Sequence, residues 1–425
     1  MPLHINAFHL VMGFSRALDL VNPVLAGHHL HVGYLADAVA RKLDMPLAER
    51  ETLVIAAMLH DTGAIPLRVN AGDLIFERKA ELHSRASRAF LRSCGILDDA
   101  AEMALLHHVP WKEASGMGAV ARSANIINLA DRVDIYLRGC GKTPGQARHD
   151  VQEHLRRRQP HTFHPLLVQA MLAVLDDPAL ATVGLERAPL EAWLAREFRD
   201  TWSDTAQVTR FSLLFSLIID SISPYTAAHS AGVAHTARAL MRLHGGDGED
   251  EIYVAGLLHD IGKLGVPVSL LEKPGPLDDD EFTTMRRHAA LSGELLGGVP
   301  GFENVRDWGA PHHERMDGQG YPHGLRAGEL PVQARMVAVA DVFTALTEDR
   351  PYRPGMPLNE ALNLLRSLRG NHLDPALVDL LLSHAAPINE ERLRAQAEAR
   401  RFAAELRQAC GNPAPVRDGA RPSLP

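Results

Sequence analysis

Two histidine-aspartate pairs, His60-Asp61 and His259-Asp260, each close an apolar run and lead into a glycine-bearing turn, HDTGA and HDIGK. A carboxylate at the end of an apolar helix is costly to bury unless it is paired or bound to a metal ion. Asp341, inside RMVAVADVFTAL, makes the same case with apolar residues on nearly every side. One such aspartate alone reads as a cap or an ion pair, and one such histidine as a core residue. The series His229, His259, Asp260, His288, His312, His313 and Asp341 reads as a ligand set. It is imidazole-rich with two carboxylates, which suits Fe, Mn, Co, Ni or Zn and is too nitrogen-rich for Mg or Ca. Fe and Mn lead. Seven donors exceed the needs of one ion, so two divalent transition-metal ions are expected, with Asp260 able to bridge them. Paired ions about 4 Å apart serve phosphate ester hydrolysis.

The same series occurs twice. At an offset of 201, Phe14, Ser15, Asp19, Pro23, His28 and Val32 answer Phe215, Ser216, Asp220, Pro224, His229 and Val233. His60-Asp61 answers His259-Asp260 at 199, and His83, His107 and His108 answer His288, His312 and His313 at 205. Asp131 and Pro165 answer Asp341 and Pro375 at 210. Ten of the 23 histidines fall in these two parallel series, so the chain reads as a tandem duplication. The second copy carries longer intervals, 29 against 23 residues from the His-Asp pair to the next histidine, and 28 against 23 after the doublet. The second insertion holds the most unusual sequence, GQGYPHG.

Length agrees with two units, since 425 residues exceed what one core serves. Apolar spacing of three and four marks helices over 252–258, 336–346 and 358–368, while alternating β-branched runs are nearly absent. The expected architecture is all-α: two tandem bundles of six to eight helices over 1–180 and 205–388, with a linker over 181–204. Residues 389–425 are expected to form a polar helix and a disordered Pro- and Gly-rich tail. A net charge of −8 argues against a general nucleic-acid binder. Three scattered cysteines make no disulfide framework, and a reducing compartment follows. The N-terminus has no signal-peptide pattern, and the most apolar stretch, 211–222, is too short to span a bilayer and contains Asp220. A cytoplasmic protein without membrane attachment is expected, and a homodimer stays open.

The order LLHDIGKLGVP, KPGPL, MRRHAALSGELL, HHERMDGQGYPHGL, ARMVAVADVFTALTEDRPYR resembles the HD-GYP phosphodiesterases across 211–385. The motif's Gly-Tyr-Pro is Gly320-Tyr321-Pro322. The resemblance implies an HD-type helical fold, a binuclear or trinuclear metal centre on the seven residues above, and hydrolysis of cyclic di-GMP to linear pGpG or GMP. It implies that Asp260 and Lys263 act in catalysis, Lys263 on the scissile phosphate, and that Tyr321, Arg350 and Arg353 contact the nucleotide. An acidic protein needs such local cations for two phosphates, and Arg can grip phosphate oxygens bidentately. Taken alone, GQGYPHG would be a surface turn. Its glycines form no dinucleotide-binding motif, because no strand precedes them.

Two departures stand out. Tyr225 replaces the glutamate of three-metal members, so two ions are expected. Thr344 stands where the family has an aspartate, which questions how the ligands are oriented. The first copy keeps His28, His60, Asp61, His83, His107, His108 and Asp131 as a second candidate metal site. It resembles a plain, degenerate HD domain: Ala64 faces Lys263, VPWKEASGMG replaces the Gly-Tyr-Pro loop, and Asp134 faces Thr344. Three readings stay open for it: a regulatory or dimerising module, a phosphohydrolase of other specificity, and a structural relic. For the whole chain, the leading reading is a cyclic di-GMP phosphodiesterase. The alternatives are a 3′,3′-cyclic GMP-AMP phosphodiesterase, a weakly catalytic cyclic-dinucleotide-binding signalling module, and a general nucleotide phosphohydrolase.

Overall fold

The computed structural model describes residues 3–21, 26–67, 80–139, 144–158, 160–177, 186–223, 226, 228–349 and 354–409. Tyr225, Arg350, Arg353 and the expected tail from 410 lie outside the described residues. Among those described there are 20 α-helices and one pair of two-residue strands, Ile5–Asn6 antiparallel to Trp202–Ser203. The expected all-α class is the observed one. No described helix is long and apolar enough to cross a membrane.

The helices start and stop where local chemistry says they should. Thr205–Asp220 opens on a capping box, with Asp204 accepting from the Gln207 N–H and Gln207 answering the Asp204 N–H. Asp279–Gly297 opens on the same device with Asp278 and Glu281. The repeated prolines 165 and 375 are first residues of the helices Pro165–Asp176 and Pro375–Ser383, where a missing N–H is harmless. His229–His244 ends at Gly245, whose φ of 82° few other residues accept.

Five helices carry the junction of the two units or donors of the second: α1 (Ala7–Val21), α2 (Thr205–Asp220), α3 (His229–His244), α4 (Asp279–Gly297) and α5 (Ala385–Ala409). α1 and α2 precede the first histidine of each copy and are buried on most sides. A helix apolar all round belongs in an interior. α1 packs on its own unit and on the second unit's Ile261–Gly265 turn, while α2 packs on its own unit and on the first unit's helix Ala80–Ser93. The units therefore exchange equivalent helices across one apolar core. The helix Arg187–Glu197 buries Leu190 and Leu194 against the first unit and pairs Glu191 with Arg16 at 2.5 Å. α5 leans on α3, and its Phe402 meets Phe90 of the first unit at 5.8 Å.

Candidate metal centres and catalytic site

In the second unit, His259 caps the helix Glu249–Leu258, and the chain then tightens into the 3₁₀ turn Ile261–Gly265. The turn lies flat on α4 because Gly262 has no side chain. A Cβ there would sit 2.0 Å from the His288 carbonyl oxygen, and the Gly262 N–H donates to Ser292 Oγ at 2.9 Å. The first unit repeats the device: Gly63 abuts the His83 carbonyl and donates to Ser87 Oγ at 2.9 Å. Ser87 and Ser292 share the 205 offset of the histidines beside them, a signal that could have named them from sequence.

Asp260 lies between two ligand groups. Its Oδ2 faces His259 Nε2 at 3.1 Å and His229 Nε2 at 3.8 Å, and its Oδ1 faces His288 Nε2 at 3.4 Å and His312 Nε2 at 3.6 Å. Asp341 Oδ1 lies 3.1 Å from His229 Nε2, and its Oδ2 lies 3.9 Å from His313 Nδ1. The donors gather as His229, His259 and Asp341 on one side and His288, His312 and His313 on the other, within 4.8 Å in each group. All seven residues read from sequence converge. His259, His288 and His312 each donate Nδ1–H to the carbonyl three residues back, at 2.8, 2.6 and 2.8 Å. That fixes the tautomer with the Nε2 lone pair inward.

Electrostatics favour the same state. Burial pushes the Asp260 carboxyl up, but Lys263 and the imidazoles outweigh it and hold it well below the usual range. Burial likewise raises Asp341 and is overcome by His229 and the other imidazoles. Burial drives His312 far down and His313 to about 3, so both rings are neutral donors. His259 Nε2 and Asp260 Oδ1 are buried without a hydrogen-bond partner. Buried polar atoms are seldom left so, and divalent ions between the two groups would satisfy them. The donor set fits the expected metals.

The His229 ring is oriented by a residue the sequence reading missed. Glu348 Oε2 accepts from His229 Nδ1 at 2.8 Å, and Gln396 of α5 holds the other carboxylate oxygen. In the first unit Asp134 takes His28 Nδ1 at 2.6 Å and His31 Nδ1 at 2.5 Å. The function expected at Thr344 is thus filled from Glu348, one turn further on. Asp220, recognised only as a repeat, accepts from the Ser230 N–H at 3.1 Å and Oγ at 2.8 Å and so fixes the start of α3.

Lys263 reaches Asp260 Oδ2 from the turn and lines a cavity of about 460 Å³ with Lys273, Phe282, Met285 and Tyr321. The Gly-Tyr-Pro loop is built on Glu314. Its carboxylate accepts from the N–H groups of His323, Gly324 and Leu325 at 2.7, 3.1 and 2.9 Å. Gly320 lies so close to Glu314 Cα that a Cβ would approach to 2.5 Å. Tyr321 is thereby set over His313, with ring centroids 4.7 Å apart.

The first unit gathers Asp61, His83, His107 and His108 in one group and His28, His60 and Asp131 in another. Asp61 Oδ2 faces His60 Nε2 at 3.3 Å, while Oδ1 faces His83 Nε2 at 3.3 Å. The bridging geometry is the same, but the cation differs. Ala64 is buried where Lys263 stands, and Arg132 instead grips Asp131 Oδ2 through Nε at 3.0 Å and Nη2 at 2.5 Å.

Family models described as HD domain match residues 25–136 and 214–377. The chain is 30% identical over 400 residues to the 3′3′-cGAMP-specific phosphodiesterase 1 of Vibrio cholerae serotype O1, covering 90% of this chain and 92% of that protein. It is 32% identical over 298 residues to the cyclic di-GMP phosphodiesterase response regulator RpfG of Xanthomonas campestris, covering 61% of this chain and 78% of that one. The crystal structure of a cyclic GMP-AMP-specific phosphodiesterase of V. cholerae superposes with a TM-score of 0.60 at 21% identity, covering 94% of this chain and 98% of that one. At that identity the likeness speaks for the fold.

Proposed function

The chain belongs to the HD-GYP phosphodiesterase family, and we propose that its C-terminal unit is a metal-dependent phosphodiesterase of cyclic dinucleotides. The observation that carries this reading is Asp260, set between two imidazole groups with Lys263 on its outer side and the cavity beyond. His229, His259, Asp260 and Asp341 would hold one divalent ion, and Asp260, His288, His312 and His313 the other, with Fe or Mn the leading candidates. Such ions neutralise charge on the phosphoryl oxygens and lower the pKa of an attacking water. Lys263 stabilises the charge developing on the reacting phosphate and can give a proton to the leaving 3′-oxygen. Tyr321 closes the other side of the phosphate, and Arg350 and Arg353 are proposed to grip the nucleotide.

Cyclic di-GMP hydrolysed to pGpG or GMP is the first reading. 3′3′-cGAMP is the second, favoured by the relative that matches nearly the whole chain. The first unit, with its complete donor set, is proposed as a second metal site that lacks the nucleotide loop. Product analysis tests both substrates: the protein, loaded with Mn(II) or anaerobically with Fe(II), is incubated with each beside Asp260→Ala and Asp61→Ala. Linear product that vanishes in Asp260→Ala and persists in Asp61→Ala supports the reading. No product from either substrate in metallated protein overturns it.

A further inference from the structure

α4 carries three cavity-facing side chains at steps of three residues, Phe282, Met285 and His288. The row runs from the rim to the metal ligands, and six residues of helix place Phe282 about 9 Å along the axis from His288. Phe282 is 46% exposed. Of the two aromatic rings among the exposed large apolar side chains of the described residues, Trp202 stacks on His4, while Phe282 opens onto the catalytic cavity. Its ring stands edge-on to Tyr321 with centroids 6.3 Å apart. The Arg286 guanidinium, one turn further along, lies 4.7 Å from the Tyr321 ring centre and 5.7 Å from that of Phe282, so one cation ties both rings.

Resting on the phosphodiesterase reading above, we infer that Phe282 is the stacking platform for a base of the cyclic dinucleotide, with Arg286 as the positioning residue that holds Phe282 and Tyr321. A base is separated from its phosphate by a ribose, and Phe282 lines the same cavity as Asp260 and Lys263. Every base offers a π-face, so stacking there adds affinity without reading guanine against adenine.

The test is steady-state kinetics of metallated Phe282→Ala and Phe282→Tyr on cyclic di-GMP, 3′3′-cGAMP and methyl p-nitrophenyl phosphate, a diester without a base. Phe282→Ala is expected to raise KM for the cyclic dinucleotide about tenfold, as loss of one base stack would, with kcat nearly unchanged. Phe282→Tyr should restore KM, and metal content and turnover of the small diester should stay at wild-type values. An unchanged KM, or an equal loss on the small diester, overturns the inference and leaves the phosphodiesterase reading standing. Wild-type protein that cleaves the small diester and neither cyclic dinucleotide defeats the parent reading, and the inference falls with it.

Discussion

Phe14 and Phe215, equivalent residues of the two copies, stack face to face with centroids 3.5 Å apart and planes 9° off parallel, both fully buried. A residue that meets its own counterpart marks a two-fold axis, as in a symmetric dimer interface. The duplicated chain therefore carries within itself the contact that two separate units would make. Phe215→Ala should destabilise the protein by about 3 kcal/mol, the usual cost of truncating a buried phenylalanine. The double variant with Phe14→Ala should cost less than the two singles together by about 1 kcal/mol. Denaturant unfolding of the four proteins measures this, and strict additivity would argue against a coupled pair.

Each oxygen of Asp260 faces a different candidate donor group, so removing the carboxylate is expected to disrupt both. Asp260→Ala is expected to lower cyclic-dinucleotide hydrolysis by about a thousandfold or more, since paired-ion chemistry is lost with it. Asp61→Ala should remove the first unit's share of the bound metal yet leave hydrolysis near wild type. Elemental analysis beside product assays separates the two. Equal loss of activity in both variants would show that the first unit is needed for turnover.

How legible was this from sequence? The candidate donors were, because metal coordination calls for particular residue types at positions that a duplication repeats, and all seven in each copy converge in space. The partner of His229 was not. Glu348 lies just beyond the end of the helix Val332–Thr347, at a residue with extended backbone, and no helical spacing points from it to His229. Phe14 and Phe215 were visible as a repeat but not as a contact, since matching positions in two copies says nothing of where their faces meet. Arg132 was hidden for another reason: it follows a ligand and reads as one more surface charge, whereas it is buried against Asp131.

The exchange of Asp134 for Glu348 makes a prediction of its own. Hydrogen bonds to metal-ligating histidines typically change affinity by about 10- to 100-fold. Glu348→Ala should therefore weaken metal binding by that order, with activity recovered at saturating metal. Adding Thr344→Asp places a carboxylate where Asp134 stands in the first unit, and affinity should return. Metal titration followed by activity and by thermal stability reads both variants. Failure of the second substitution to restore affinity would mean that Glu348 acts through its Gln396 bond to α5 rather than through His229.

Removing the ions should also destabilise the fold. Without them the buried Asp260 carboxylate keeps Lys263 and the imidazoles as partners, Asp341 keeps His229 and His313, and His259 Nε2 is left without a hydrogen bond. A ligand bound to the folded state alone stabilises by about 1.4 kcal/mol for each tenfold excess over its dissociation constant. Chelation is expected to lower the melting temperature of the wild type, and to lower that of Asp260→Ala less. Equal shifts in the two would place the stabilising ions entirely in the first unit.

The proposed role of Lys263 can be tested by separating binding from chemistry. Its ammonium touches Asp260 and faces the cavity, and it lies on a turn whose shape is set by Gly262 and Ser292 rather than by the lysine itself. Lys263→Ala should therefore keep the fold and the metals while losing stabilisation of charge on the departing oxygen. The expected cost is about 10²- to 10³-fold in kcat, as for loss of one preorganised donor. KM should move far less. Lys263→Arg keeps the positive charge but not the proton-transfer chemistry, because a guanidinium does not release its proton in this range. If arginine restores most of kcat, the lysine acts as charge alone. If it restores little, proton delivery to the 3′-oxygen is part of its function.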